Sequence, residues 1–175
     1  MNLRPSKDGL VNLVIVLTCG VIVSALTGHW PAARPAQAGT PNAHFQPGKT
    51  AETLPGVRYD DVDATLVLYV RSTCRFCTAS MPMYKRLIAD LAAHPNARLV
   101  VTSPESVDVL NAYLKSNGLQ VAGTLTFQSR NEVTPTLLLI DKTGTIRHIW
   151  MGQQDARGES EIAQTIAQAV MRAAS

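Results

Sequence analysis

Two thiols three residues apart, Cys74 and Cys77, are the side chains of this sequence best equipped to do chemistry. They follow an apolar run, Ala64 to Val70, and precede a stretch in which Met83, Tyr84, Leu87, Ile88 and Leu91 recur at spacings of three and four. The first pattern predicts a strand buried on both faces, the second a helix with one apolar stripe. Ser72 or Thr73 would cap that helix, and Pro95 marks its exit. The thiols therefore fall where strand gives way to helix. A sulfur placed there meets unpaired backbone N–H groups and the positive end of the helix dipole, both of which favour thiolate over thiol. Side chains three apart on a helix lie about 5–6 Å from each other, within reach of a disulfide. Cys74, nearest the terminus, is expected to be the exposed nucleophile. Cys77, a turn deeper, is expected to resolve by closing on it as a redox-active disulfide. Arg75, between them, adds a cation that further favours the thiolate.

The same spacing admits other uses. A purely structural disulfide would suit an exported protein. Half of a zinc site would need a second ligand pair, and the chain has no other C-x-x-C, C-x-x-H or H-x-x-x-H, so no metal site is expected. A copper-carrying loop also uses C-x-x-C, usually on a smaller domain and with Met before the first cysteine, where this chain has Thr73.

The elements that must hold the pair can be read on either side of it. Arg98 to Thr102 is a second buried strand, and Ser103-Pro104-Glu105 opens a second helix with Ser at the cap and Pro at the first helical position. Val107, Leu110 and Leu114 form its stripe, and Asn117-Gly118 ends it. Leu119 to Val133 reads equally as a short strand or a loop. Thr136 to Ile140 and Thr145 to Met151, joined by the turn Asp141-Lys142-Thr143-Gly144, form an antiparallel hairpin. Glu161 to Arg172 is a terminal helix with Ile162, Ile166, Ala169 and Val170 on its buried side. The order β-α-β-α-β-β-α predicts an α/β domain, a mixed sheet with helices on both faces. His94 and His148 have no partner that would make them ligands or bases and read as surface residues.

Before this domain the composition changes. Residues 10–28 hold no charged side chain, and a helix of that length would span roughly 28 Å, close to the hydrocarbon thickness of a bilayer. Arg4 and Lys7 precede it and only Arg34 follows closely, which would leave the N-terminus cytoplasmic and the remainder outside. Residues 1–28 are thus expected to be an uncleaved membrane anchor, or else a signal sequence, with Cys19 a small apolar residue within it. Residues 29–56 hold five of the ten prolines (Pro31, Pro35, Pro41, Pro47 and Pro55), much Ala, Gly and Thr, and no amphipathic period; they read as a flexible linker, His44 and Phe45 included. The folded domain is expected over 57–175. The chain carries a net charge of +3, but from Val57 onward 12 Lys and Arg stand against 11 Asp and Glu, so no basic face argues for nucleic acid.

With these features in place, Ala64 to Arg172 resembles the thioredoxin superfamily, in particular its membrane-anchored, exported, TlpA-like members. The C-x-x-C opening a helix carries the resemblance, with Pro82 five residues after Cys77, where the family's active-site helix is kinked. Pro82 cannot donate to the carbonyl of Thr78, which predicts the same bend on physical grounds. Thr134-Pro135 before Thr136–Leu139 resembles the family's cis-proline segment, and Gly152 matches a glycine that ends the following strand. The resemblance implies a cis Thr134–Pro135 bond lying against Cys74, with Thr134 and Pro135 binding an extended substrate chain as an added strand. It further implies a monomeric thiol–disulfide oxidoreductase that needs no dissociable cofactor. Its catalytic domain would face the periplasm, exchanging disulfides with cysteine-containing exported proteins and with an upstream membrane thiol donor or acceptor. Three departures bear on the redox properties. Leu68 stands where thioredoxins bury an acid, Thr73 replaces the usual Trp, and Arg75-Phe76 replaces Gly-Pro. Glu132 is the nearest acid by sequence that could stand in. Two other functions share parts of this pattern. A peroxiredoxin-like peroxidase would want Thr or Ser where Arg71 stands, and a non-catalytic copper- or partner-binding module would use the pair only to hold its ligand.

Overall fold

The computed structural model describes residues 45–129 and 133–173; the apolar segment 10–28, residues 29–44 and Glu132 lie outside the described residues. Among the described residues no helix is long and apolar enough to cross a membrane. Strand β1 (Ala64–Tyr69) is buried at every position, as its unbroken apolar run requires of a central strand. It pairs in parallel with β2 (Ala97–Ser103) and antiparallel with β4 (Thr136–Asp141). A short β3 (Gly123–Thr126) adds to β2 in parallel and β5 (Ile146–Met151) to β4 as a hairpin, giving the order β3-β2-β1-β4-β5. The ambiguous stretch after Gly118 therefore contains an edge strand. Four residues, Gly-Thr-Leu-Thr, are too few and too evenly half-buried to announce one.

Among the described residues four α-helices are set between and after the strands: α1 (Arg75–Ala79), α2 (Met81–Leu91), α3 (Val107–Ser116) and α4 (Ala156–Ala173). Their buried residues belong to one core. Leu66 and Leu68 of β1, with Val70 just beyond it, pack with Cys77, Met81, Tyr84 and Leu87, with Leu110 and Leu114 of α3, and with Ile162 and Ile166 of α4. The expectation of helices on both faces is corrected here. The steps β1-to-β2 and β2-to-β3 run the same way across the sheet, both strand pairs are parallel, and right-handed crossovers then put the intervening helices on the same side.

The opposite face is covered by the segment read as a linker. Phe45, Ala51 and Leu54 pack on Val67, Tyr69, Val100, Leu138 and Ile140. The segment is hydrogen-bonded to the β4–β5 hairpin through Gly48 N–H to the Ile146 carbonyl (2.8 Å), Ile146 N–H to the Lys49 carbonyl (2.9 Å) and Ala51 N–H to the Gly144 carbonyl (2.8 Å). Residues 45–56 are thus a packed strap. Composition hid this because the strap buries three isolated side chains between turns, with no helical or strand period.

Three helix starts also differ from expectation, the first because α1 is capped by Cys74 and not by Ser72 or Thr73. Helix α3 begins at Val107, capped by Ser106, whose hydroxyl accepts from Val109 N–H at 3.4 Å; Ser103 remains in β2. Helix α4 begins at Ala156, five residues before Glu161. In the hairpin turn Asp141 accepts from the N–H groups of Thr143 (2.9 Å) and Thr145 (3.0 Å), and Gly144 takes φ +76. Leu54→Ala tests the strap. Leu54 is 1% exposed, so its truncation should cost about 2–5 kcal/mol in urea unfolding, whereas a tether residue would cost roughly 0.5 or less.

Candidate functional site

Strand β1 delivers the chain into a tight turn, Arg71–Cys74, closed by Cys74 N–H on the Arg71 carbonyl at 3.1 Å. Cys74 has extended backbone (φ −84, ψ 107) and occupies the N-cap of α1, where its sulfur accepts from Cys77 N–H at 3.1 Å. Cys77, one turn in, is completely buried against the main core, while Cys74 is partly exposed. The bend expected at Pro82 takes the form of a break at Ser80 between α1 and α2. Ser80 turns both its N–H (3.1 Å) and its hydroxyl (2.9 Å) back to the Phe76 carbonyl.

The other half of the site comes from β4. Register pairs Tyr69 with Thr136, which sets the residues before Thr136 beside the turn that follows β1. The Thr134–Pro135 bond is cis, as the resemblance implies, and the Thr134 carbonyl accepts from the Cys74 thiol at 3.4 Å. Gly152, at φ +74, closes this end of the hairpin by donating its N–H to the Pro135 carbonyl at 2.7 Å. The structure thus brings together Cys74, Cys77, Thr134 and Pro135 from two distant stretches of sequence. Arg75 stands at the rim, its guanidinium over the Phe76 ring at 4.6 Å from the centroid. Phe76 (44% exposed) and Val133 (41%) leave apolar surface open beside the partly exposed sulfur.

Both cysteines are free thiols here, so the structure is the dithiol state of the pair expected to form a disulfide. Burial works against the Cys74 thiolate but is outweighed by hydrogen bonds from the Cys77 thiol, from the Thr134 side chain and from the Cys77 and Phe76 N–H groups, which hold its pKa below the ordinary thiol value. Cys77 is pushed up to about 12, first by burial and then by giving its proton to the bond with Cys74. The Arg71 main chain partly offsets that rise. Leu68, fully buried in the same core, confirms that β1 supplies no acid beneath Cys77. Among the described residues, ionisable side chains facing the pair include Tyr84, buried on α2, and Tyr113 on α3, whose hydroxyl lies 3.1 Å from Thr78 Oγ1. Glu132 lies outside the described residues.

Sequence reasoning missed Glu105. Its carboxylate accepts from Ser72 N–H at 2.8 Å and from the Ser72 hydroxyl at 2.6 Å, inside the turn that carries Cys74. The signal existed only as Ser103-Pro104-Glu105, which matches a helix start equally well. A cavity of about 440 Å³ bounded by Asp63, Asp141, Arg147 and His148 lies at the other end of β1, where Ala64 pairs with Asp141, and takes no part in this site.

No family model matches the chain, and no curated protein matches its sequence. Solved structures do match. A thiol:disulfide interchange protein of the thioredoxin family from Chlorobium tepidum superposes with TM-score 0.55 at 16% identity, covering 73% of this chain and 99% of that one. The chain has the thioredoxin-like fold. The thioredoxin domain of a thiol-disulfide oxidoreductase from Bacteroides vulgatus matches with TM-score 0.53 at 12% identity, over 70% of this chain and 98% of the other. A thiol-disulfide isomerase from Corynebacterium glutamicum matches with TM-score 0.50 at 16% identity, over 66% and 86%. Within the thioredoxin-like fold, the asymmetry of the two thiols predicts a labelling pattern. In the reduced protein at about pH 7, iodoacetamide should modify Cys74 and leave Cys77 untouched, since the thiolate fraction of a group near pKa 12 is roughly a thousandfold below that of an ordinary thiol. Peptide mass spectrometry reads the result directly.

Proposed function

We propose that the protein is a monomeric, membrane-tethered thiol–disulfide oxidoreductase whose catalytic domain works outside the cytoplasm on exported proteins. The observation that carries this reading is the Cys74 sulfur. It sits at a helix N-cap with a lowered pKa, partly exposed, beside a cis-proline turn and above a buried partner thiol. The names of the solved structures that share the fold point the same way. The charge-free segment 10–28, flanked by Arg4 and Lys7, supports the tether and the orientation.

In the reducing direction the Cys74 thiolate attacks one sulfur of a substrate disulfide. The substrate S–S bond breaks, a Cys74–substrate bond forms, and the second substrate sulfur leaves as thiolate. Cys77 then gives up its proton to that departing thiolate and attacks the Cys74 sulfur. The substrate is released with two electrons gained, and the Cys74–Cys77 disulfide remains for a membrane thiol donor to reduce. The reverse sequence oxidises a dithiol substrate by the same bonds. Thr134 and Pro135 would present the turn along which an extended substrate segment pairs as an added strand. Phe76 and Val133 would supply apolar contact next to the exchanging sulfurs.

Three variants test this in an insulin-reduction assay followed by non-reducing electrophoresis. Cys74→Ser should abolish turnover. Cys77→Ser should accumulate a mixed disulfide with substrate that dithiothreitol releases. A doubly substituted protein that still reduced insulin would rule the mechanism out.

A further inference from the structure

Past Val70 the parallel pairing of β1 with β2 runs out: its last bond is Val70 N–H to the Thr102 carbonyl at 3.0 Å. Two residues beyond Val70 and three beyond Thr102, Ser72 and Glu105 take over. The Glu105 carboxylate accepts from Ser72 N–H (2.8 Å), the Ser72 hydroxyl (2.6 Å) and the Ser103 hydroxyl (3.1 Å). Glu105 is itself held on two sides, its N–H donating to Ser103 Oγ at 3.2 Å and its carbonyl accepting from Thr126 Oγ1 on β3 at 2.8 Å. β2 and β3 thus converge on Glu105, β2 through its carboxylate and β3 through its main-chain carbonyl, and the carboxylate grips the second residue of the Arg71–Cys74 turn. Charge-assisted bonds of this kind are about twice as strong as neutral ones.

The turn sets the Cys74 sulfur at the N-terminus of α1, 3.1 Å from Cys77 N–H. We propose that Glu105 is a positioning residue of the cysteine pair, holding the Arg71–Cys74 turn so that the Cys74 sulfur meets the main-chain N–H group that stabilises it. This rests on the reading of the pair as a disulfide-exchange site and names what tunes it. Burial disfavours the ionised carboxylate, but the bonds from Ser72 and Ser103 and the charge of Arg71 outweigh it, so Glu105 stays ionised below the usual carboxylate range. Among the described residues, the titratable side chains interacting with Cys74 are Cys77, Tyr84 and Tyr113, and the two tyrosines are driven further from neutrality by burial, so of these only the cysteine pair shapes the profile near neutral pH.

Position and charge make opposite demands. A carboxylate acting only as a negative neighbour would, once removed, lower the pKa of Cys74; a clamp, once removed, raises it by loosening the N–H contacts. The experiment is the iodoacetamide rate at the Cys74 peptide of the reduced full-length chain from about pH 4 to 9, with thermal unfolding measured alongside. Glu105→Ala should move the midpoint upward and slow alkylation near pH 6 by at least about threefold, an effect no loss of stability alone produces. Glu105→Gln, which keeps an acceptor for Ser72 N–H, should shift the midpoint the same way by less. A folded E105A protein with an unchanged or lowered midpoint overturns the inference; should E105A fail to fold, the same result in E105Q overturns it. If instead wild-type Cys74 titrates like a free cysteine, it is the oxidoreductase reading that fails.

Discussion

At the start of α1 the Cys74 sulfur takes the place that a serine or threonine oxygen usually fills at a helix N-cap, accepting the Cys77 N–H at 3.1 Å. Most of the site's chemistry descends from that one contact. A cap must sit at the boundary, so this thiol is partly exposed; the residue three further on must turn inward, so its thiol is buried. The first sulfur gains from the N–H groups and from the thiol below it, and the second loses through burial and through giving up its hydrogen bond. Two identical side chains acquire opposite acidities because one helix turn separates them.

What surrounds the cap follows from sheet geometry. β1 and β2 run parallel, so their C-terminal ends lie together, and β4 runs against them, so its beginning lies at the same end. Three chain segments that share no sequence neighbourhood therefore meet there: the Arg71–Cys74 turn, the Ser103–Glu105 bend and the cis Thr134–Pro135 turn. The helices collect on one face because the chain steps the same way twice across the sheet, and the other face is closed by the strap from Phe45 to Leu54. That strap also ties down the far end of the hairpin, so the β4 strand that carries the proline turn is anchored at its other end too.

The polar balance beneath the pair is unusual in its economy. β1 offers Leu68 rather than an acid, and Cys77 keeps its proton in a hydrogen bond to the Cys74 sulfur while both thiols are free. Among the described residues the carboxylate of Glu105 is bonded into the turn through main chain and hydroxyls, and no hydrogen bond joins it to either sulfur.

The strand-to-helix placement of Cys74 and Cys77, the break near Pro82 and the hairpin around Asp141–Gly144 were legible in the amino-acid order, because each depends on residues within a few positions of one another: apolar periodicity, a missing N–H, a turn residue. So was the proline turn, through its likeness to a known segment. The edge strand β3, the gathering of helices on one face, the burial of Phe45 and Leu54, and the grip of Glu105 on Ser72 were not. Those arise from which strands lie side by side, and a 33-residue separation such as that between Ser72 and Glu105 leaves no local trace. Local propensity determines where a sulfur caps a helix; only the packed sheet decides which distant carboxylate holds it there.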